Sequence, residues 1–139
     1  MTAPGEVLNT LEAACKALKQ DETFRWEWED RMDAALSVYS SDNNTKVHGL
    51  LEEHFKARFD SGNLPEAPAN VQQFVKSLGG LRNGQEIFTS DPDLDLVVAV
   101  ALWPWGSGTN ISIRLWILSN NVSDEEKASL QDRFRSWFQ

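Results

Sequence analysis

Residues 94–118 read LDLVVAVALWPWGSGTNISIRLWIL, the most hydrophobic and most strongly patterned stretch of the chain. Leu94, Leu96, Val98, Val100 and Leu102 alternate along its first half, and Ile111, Ile113, Leu115 and Ile117 along its second. Period-two alternation marks a strand with one buried face. The stretch predicts one long β-hairpin with Trp103-Pro104-Trp105 at its bend. The intervening positions, Val97, Ala99, Ala101 and Trp103, then Ser112, Arg114, Trp116 and Leu118, form a second face that is amphipathic rather than purely polar. Residues 86–89 predict a short third strand, with a Ser-Asp-Pro-Asp turn before the hairpin.

Before this sheet the spacing is helical. Val7, Leu8, Leu11, Ala14, Cys15 and Leu18 predict a helix over 5–19. Phe24, Trp28, Met32, Ala35, Leu36 and Tyr39 predict a second, from 21 or 23 to 39. Trp26 lies off that stripe among acids, so it covers a neighbouring element or awaits a partner. Val47, Leu50, Leu51, Phe55 and Phe59 predict a third helix over 45–59, and Val71, Phe74, Val75 and Leu78 a fourth that starts at Pro68 and ends at Gly79-Gly80. After the hairpin, Ser123 with Glu126 three residues on signals a helix start. Leu130, Phe134, Trp137 and Phe138 then face one way over 124–138. The expectation is one α+β domain over 1–139: four N-terminal helices, a small three-stranded antiparallel meander, and a C-terminal helix packed on it.

Composition adds limits. A chain of 139 residues buries roughly 68% of its unfolded surface and needs no metal or disulfide to fold. Six Trp and seven Phe stand against one Tyr, and such rings supply area both to cores and to interfaces. The net charge of −8 opposes binding to a phosphate backbone or an anionic membrane and favours solubility, or a basic protein partner. The single cysteine, Cys15, excludes an internal disulfide. The first residues lack the basic and apolar regions of a signal peptide, and a cytoplasmic setting is expected.

No constellation for catalysis stands out. His48 and His54 are six residues apart and point away from each other on a helix. Ser61 and Ser107 lie in no nucleophile elbow. Asp91, Asp93 and Asp95 alternate and could hold a cation, but they read better as solvated turn residues. The segment from Gly79 to Gly84 has Arg82 beside it and no Walker ending. Cys15 falls in an apolar register, that of a buried hydrophobe. No catalytic residue, metal ligand or cofactor is therefore expected.

What remains is a non-enzymatic interaction module: an adaptor, an inhibitor or immunity protein, or a chaperone-like regulator. Trp is enriched among interface hot spots. The expected contact residues are Trp103, Trp105, Arg114 and Trp116, at the bend and on the outer face of the hairpin. A homodimer through that face is compatible with this. The alternatives are a ligand-binding domain or enzyme with a pocket between helices and sheet, and an acidic nucleic-acid mimic. The mimic would use Glu22, Glu27, Glu29, Asp30 and Asp33 on the second predicted helix.

Overall fold

The computed structural model describes residues 4–139. It contains helices α1 (Pro4–Gln20), α2 (Asn44–His54), α3 (Ala69–Ser77) and α4 (Asp124–Ser136). Strands β1 (Glu27–Glu29), β2 (Ala34–Ser40), β3 (Ala57–Phe59), β4 (Glu86–Thr89), β5 (Leu96–Trp105) and β6 (Asn110–Ser119) form one antiparallel sheet in the order β1-β2-β6-β5-β4-β3. The architecture is α+β with helices interspersed among strands. Four N-terminal helices ahead of a three-stranded meander are not what forms.

The second predicted helix is the main correction. Residues 27–40 fold as β1, a turn and β2, pairing Glu27 with Leu36 and Glu29 with Ala34. Phe24 and Trp28 fit a helical and a period-two pattern equally. Trp26 separates them, because it lies off the helical stripe but joins Phe24 and Trp28 in an alternating row. All three pack on the same core. Aromatic residues also suit a half-buried pleated surface. Asp33 closes the turn with a positive φ of 51°. The Trp26 N–H donates at 3.1 Å to the Leu18 carbonyl, in the last turn of α1, which also accepts the Asp21 N–H at 3.3 Å. Trp26 thus covers a neighbouring element.

The third predicted helix stops early, at His54. Phe55 is extended at φ −127° and ψ 127°, and residues 57–59 pair with β4. Phe55 belongs to the core on one side of the sheet and Phe59 packs on the other, an arrangement no continuous helix face can make. The hairpin bend is also displaced. Trp103, Pro104 and Trp105 are strand residues opposite Ser112, Ile111 and Asn110. The chain reverses at Gly106, Ser107 and Gly108, whose φ angles are 59°, 61° and 83°. Left-handed backbone comes cheaply only where glycine is frequent, which places the turn there. Pro104 lies just where β5 outruns β4, whose last partner is Leu102, so its nitrogen can face an open edge without forfeiting a ladder bond.

The sheet has two differently covered faces. On the inner face, Val98, Val100, Leu102, Ile111, Ile113, Leu115 and Ile117 are buried beneath α1, α2 and α4. The apolar stripe of α1 lies in this core, Cys15 included. Ser123 caps α4 by accepting the Glu126 N–H at 3.1 Å. Phe134 of that helix meets Trp28 at 5.9 Å and Phe138 just past its end meets Trp26 at 5.1 Å, while Trp137 packs on Phe134 at 5.6 Å. On the outer face only α3 lies across the sheet. Val71 and Val75 are buried there with Ile87, Ala101 and Trp116.

Candidate functional site

Cross-strand partners share a face, so the pairings give the outer face row by row. One row runs Glu27, Leu36, Arg114, Ala101, Ile87, Phe59. The next holds Val38, Ser112 and Trp103, and the last Ser40, Asn110 and Trp105. Helix α3 roofs the β3–β4 side of this surface. The corner over the ends of β2, β6 and β5 has no helix on it. There Val38 is 46% and Trp105 50% exposed, the two large apolar side chains most open to solvent among the described residues. Leu36 and Trp103 lie half-buried beside them.

All four expected contact residues share this face, but the structure uses them differently. Trp116 is interior. Its ring packs against Phe74 of α3 at 5.0 Å, and its N–H donates to the Met32 carbonyl at 3.1 Å. Arg114 is tied down by a bidentate pair with Glu29, at 2.9 and 3.2 Å. Its guanidinium lies over the Trp103 ring, 4.9 Å from the centroid. The Arg114 hydrogen bonds hold the Glu29 carboxyl below the usual carboxylate range, against the opposing effect of burial and with help from the charges of Arg114 and Arg31. Trp103 in turn meets Trp116 edge-on at 6.0 Å. Its enclosed N–H finds no acceptor among the described residues.

Trp105 alone of the four presents a broad free surface. Its N–H donates to Ser112 Oγ at 3.0 Å, which fixes the ring over the sheet and uses up its one polar group. What it offers outward is therefore apolar and π surface, held in a defined orientation. Leu36 and Val38 belong to the same corner but stay hidden while the spacing of residues 21–39 predicts a helix, and Glu29, offered by the sequence as one acid of a nucleic-acid mimic, serves here as the partner of Arg114. The alternation in Ala-Ala-Leu-Ser-Val-Tyr-Ser was the available signal.

Elsewhere several of the polar groups that could carry chemistry have structural partners. His48 has both ring nitrogens against acceptors, the Asn44 carbonyl at 2.8 Å and the Glu86 carboxylate at 2.7 Å. Glu86 also takes Arg58, and Tyr39 donates to Asn44 Oδ1 at 3.0 Å. Burial, with the negative charge of Glu86 adding to it, pushes the Tyr39 phenol upward. Both ring nitrogens of His48 are thus engaged within the fold. His54 instead borders a cavity of about 210 Å³ between α1 and the β4–β5 turn, with Lys56 and Asp91 on its wall. That is below the usual size of a ligand pocket, roughly 300 Å³ upward. Asp91 accepts the Asp93 N–H at 3.1 Å, and Asp95 binds Asn121 at 3.0 Å, so these alternating acids serve their own loops. No group of three or more His, Cys, Asp or Glu among the described residues is arranged to hold a metal. Burial, and secondarily Glu12, raises the Cys15 thiol far above its ordinary range. The acids proposed to mimic a nucleic acid share no helix face. Glu29 is spent on Arg114, and Asp30 meets Arg135 at 3.5 Å.

No family model matches the chain, and no curated protein or solved structure is significantly similar to it. No helix among the described residues is long and apolar enough to cross a membrane.

Proposed function

We propose that the protein is a non-enzymatic binding module that docks another protein on the open corner of its outer sheet face. The observation that carries this is the adjacency of Leu36, Val38, Trp103 and Trp105 on a face whose other half is roofed by α3. Trp105 is the anchor. A large ring whose rotamer is already set loses little freedom on binding, and Trp leads among hot-spot residues. Arg114 and Glu29 act as positioning residues that stiffen the floor around Trp103. Trp116 belongs to the fold and leaves the set of contact residues. We place the protein in a reduced, cytoplasmic setting, with which the buried Cys15 thiol is compatible.

The test is affinity capture from the native host with wild type and Trp105→Ala in parallel. A partner retained by the wild type and lost by a variant of unchanged circular dichroism is the expected result. Identical captures from both proteins reject this face as the site.

A further inference from the structure

We infer that the occupant of the open corner is a basic amphipathic helix of another protein, lying beside α3; this rests on the docking reading above. Shape and charge support it independently.

The corner spans β2, β6 and β5, about 10 Å from the first strand to the third. That matches the spacing at which one helix packs beside another. The inner face of the same sheet carries three helices, whereas the outer face carries one. A second outer helix would complete the layer that α3 begins. Its apolar side would meet Leu36, Val38 and Trp105.

Charge decides the polar side of that helix. Residues 21–43 contain seven acids and two arginines; Asp21, Glu29 and Asp30 are paired with Lys46, Arg114 and Arg135, which leaves four acids without a cation among the described residues. The segment forms the β1–β2 border of the corner. Glu27 is exposed at the end of the Leu36 row, and Asp42 lies just past the end of β2, its N–H bonded to Ser40 Oγ. Neither carboxylate pairs with a cation among the described residues. Opposite them, residues 96–113 carry no charge at all. Of the cations beside the corner, Arg114 is already neutralised by Glu29, and exposed Arg25, whose backbone N–H donates to Ser37 Oγ of β2, offsets part of the charge of Glu27 and Asp42. One acidic wall, one neutral wall and an apolar floor favour lysines and arginines flanking apolar anchors. A cation could also rest on the free Trp105 ring. A second copy of the chain would bring the same acidic wall and another −8, which disfavours it as the occupant.

The experiment titrates the full-length chain with a synthetic helical peptide of leucine and lysine, and with its leucine–glutamate analogue. Affinity is read by calorimetry and location by the indole N–H signals in NMR. The expected result is micromolar binding of the lysine peptide with shifts at Trp105, and at least tenfold weaker binding of the glutamate peptide. Val38→Asp separates a specific floor from diffuse attraction. It adds negative charge, so mere electrostatic association would tighten, whereas docking on the floor weakens about tenfold. Val38→Ser takes its place if Val38→Asp does not fold. Tightening by Val38→Asp, or binding that leaves Trp105 unshifted, overturns the proposal. Equal binding of both peptides at Trp105 removes the basic partner and leaves the docking face standing. So does a concentration-dependent dimer broken by Val38→Asp. Failure of both peptides together with a strictly monomeric chain overturns the docking reading as well.

Discussion

The two faces of this sheet are made from the same strands and finished in different ways. The inner face meets three helices and has no exposed apolar side chain of size along β5 or β6. The outer face is closed over Trp116 and Ile87 by α3 and left open over Val38 and Trp105. Hydrophobicity alone does not distinguish the two regions. What distinguishes them is whether a helix is available in the chain to lie across each. Where none is, the floor is braced by polar devices instead: the Glu29–Arg114 pair, the guanidinium over Trp103, and the Trp105 N–H on Ser112.

Substitutions graded across this boundary test the comparison. Phe134→Ala, in the three-helix core, is expected to cost about 4 kcal/mol, read as a urea midpoint shift. Trp116→Ala, under α3, is expected to cost about 3 kcal/mol. A cost as small as that of a surface change would mean α3 does not close its half. Glu29→Gln is expected to cost about 1–2 kcal/mol at pH 7, less than a fully buried pair because both side chains keep some solvent contact. This effect has a pH signature. The Glu29 carboxyl is held below its ordinary value, which is about 4.3 for an unperturbed glutamate. Its stabilisation is therefore complete above that value and is lost as pH falls through the lower, folded-state value. Wild type and Glu29→Gln should differ at pH 7 and converge in strong acid. Trp105→Ala should cost only about 1 kcal/mol, since half the ring is already in water. A cost above about 3 kcal/mol would make Trp105 a core residue rather than an anchor.

The legible parts of the fold were those with one unambiguous period. The strand rows from Leu96 to Leu102 and from Ile111 to Ile117, the α1 stripe, and the starts of α3 and α4 all stand where their spacing puts them, whereas Leu94 lies in the bend before β5. Residues 21–39 were ambiguous because Phe24 and Trp28 satisfy either period, and the tertiary surroundings of Trp26 decided between them. The same ambiguity hides the candidate site, since Leu36 and Val38 cannot join a sheet face as residues of a helix. The Arg114–Glu29 pair was beyond any local reading. Its partners are 85 residues apart, and only the sheet order brings them together. Whether Trp105 or Trp116 is the exposed indole was equally hidden, because both occupy outward positions and α3 covers only one.

The edges of the sheet carry a last consequence. Each outermost strand, β1 and β3, is only three residues long, and where β5 runs past β4 the chain places Pro104, which has no N–H to offer. Such short, interrupted edges are poor templates for strands of other molecules. The molecule can therefore keep apolar side chains open on the flat of its sheet without inviting endless side-by-side growth into fibres.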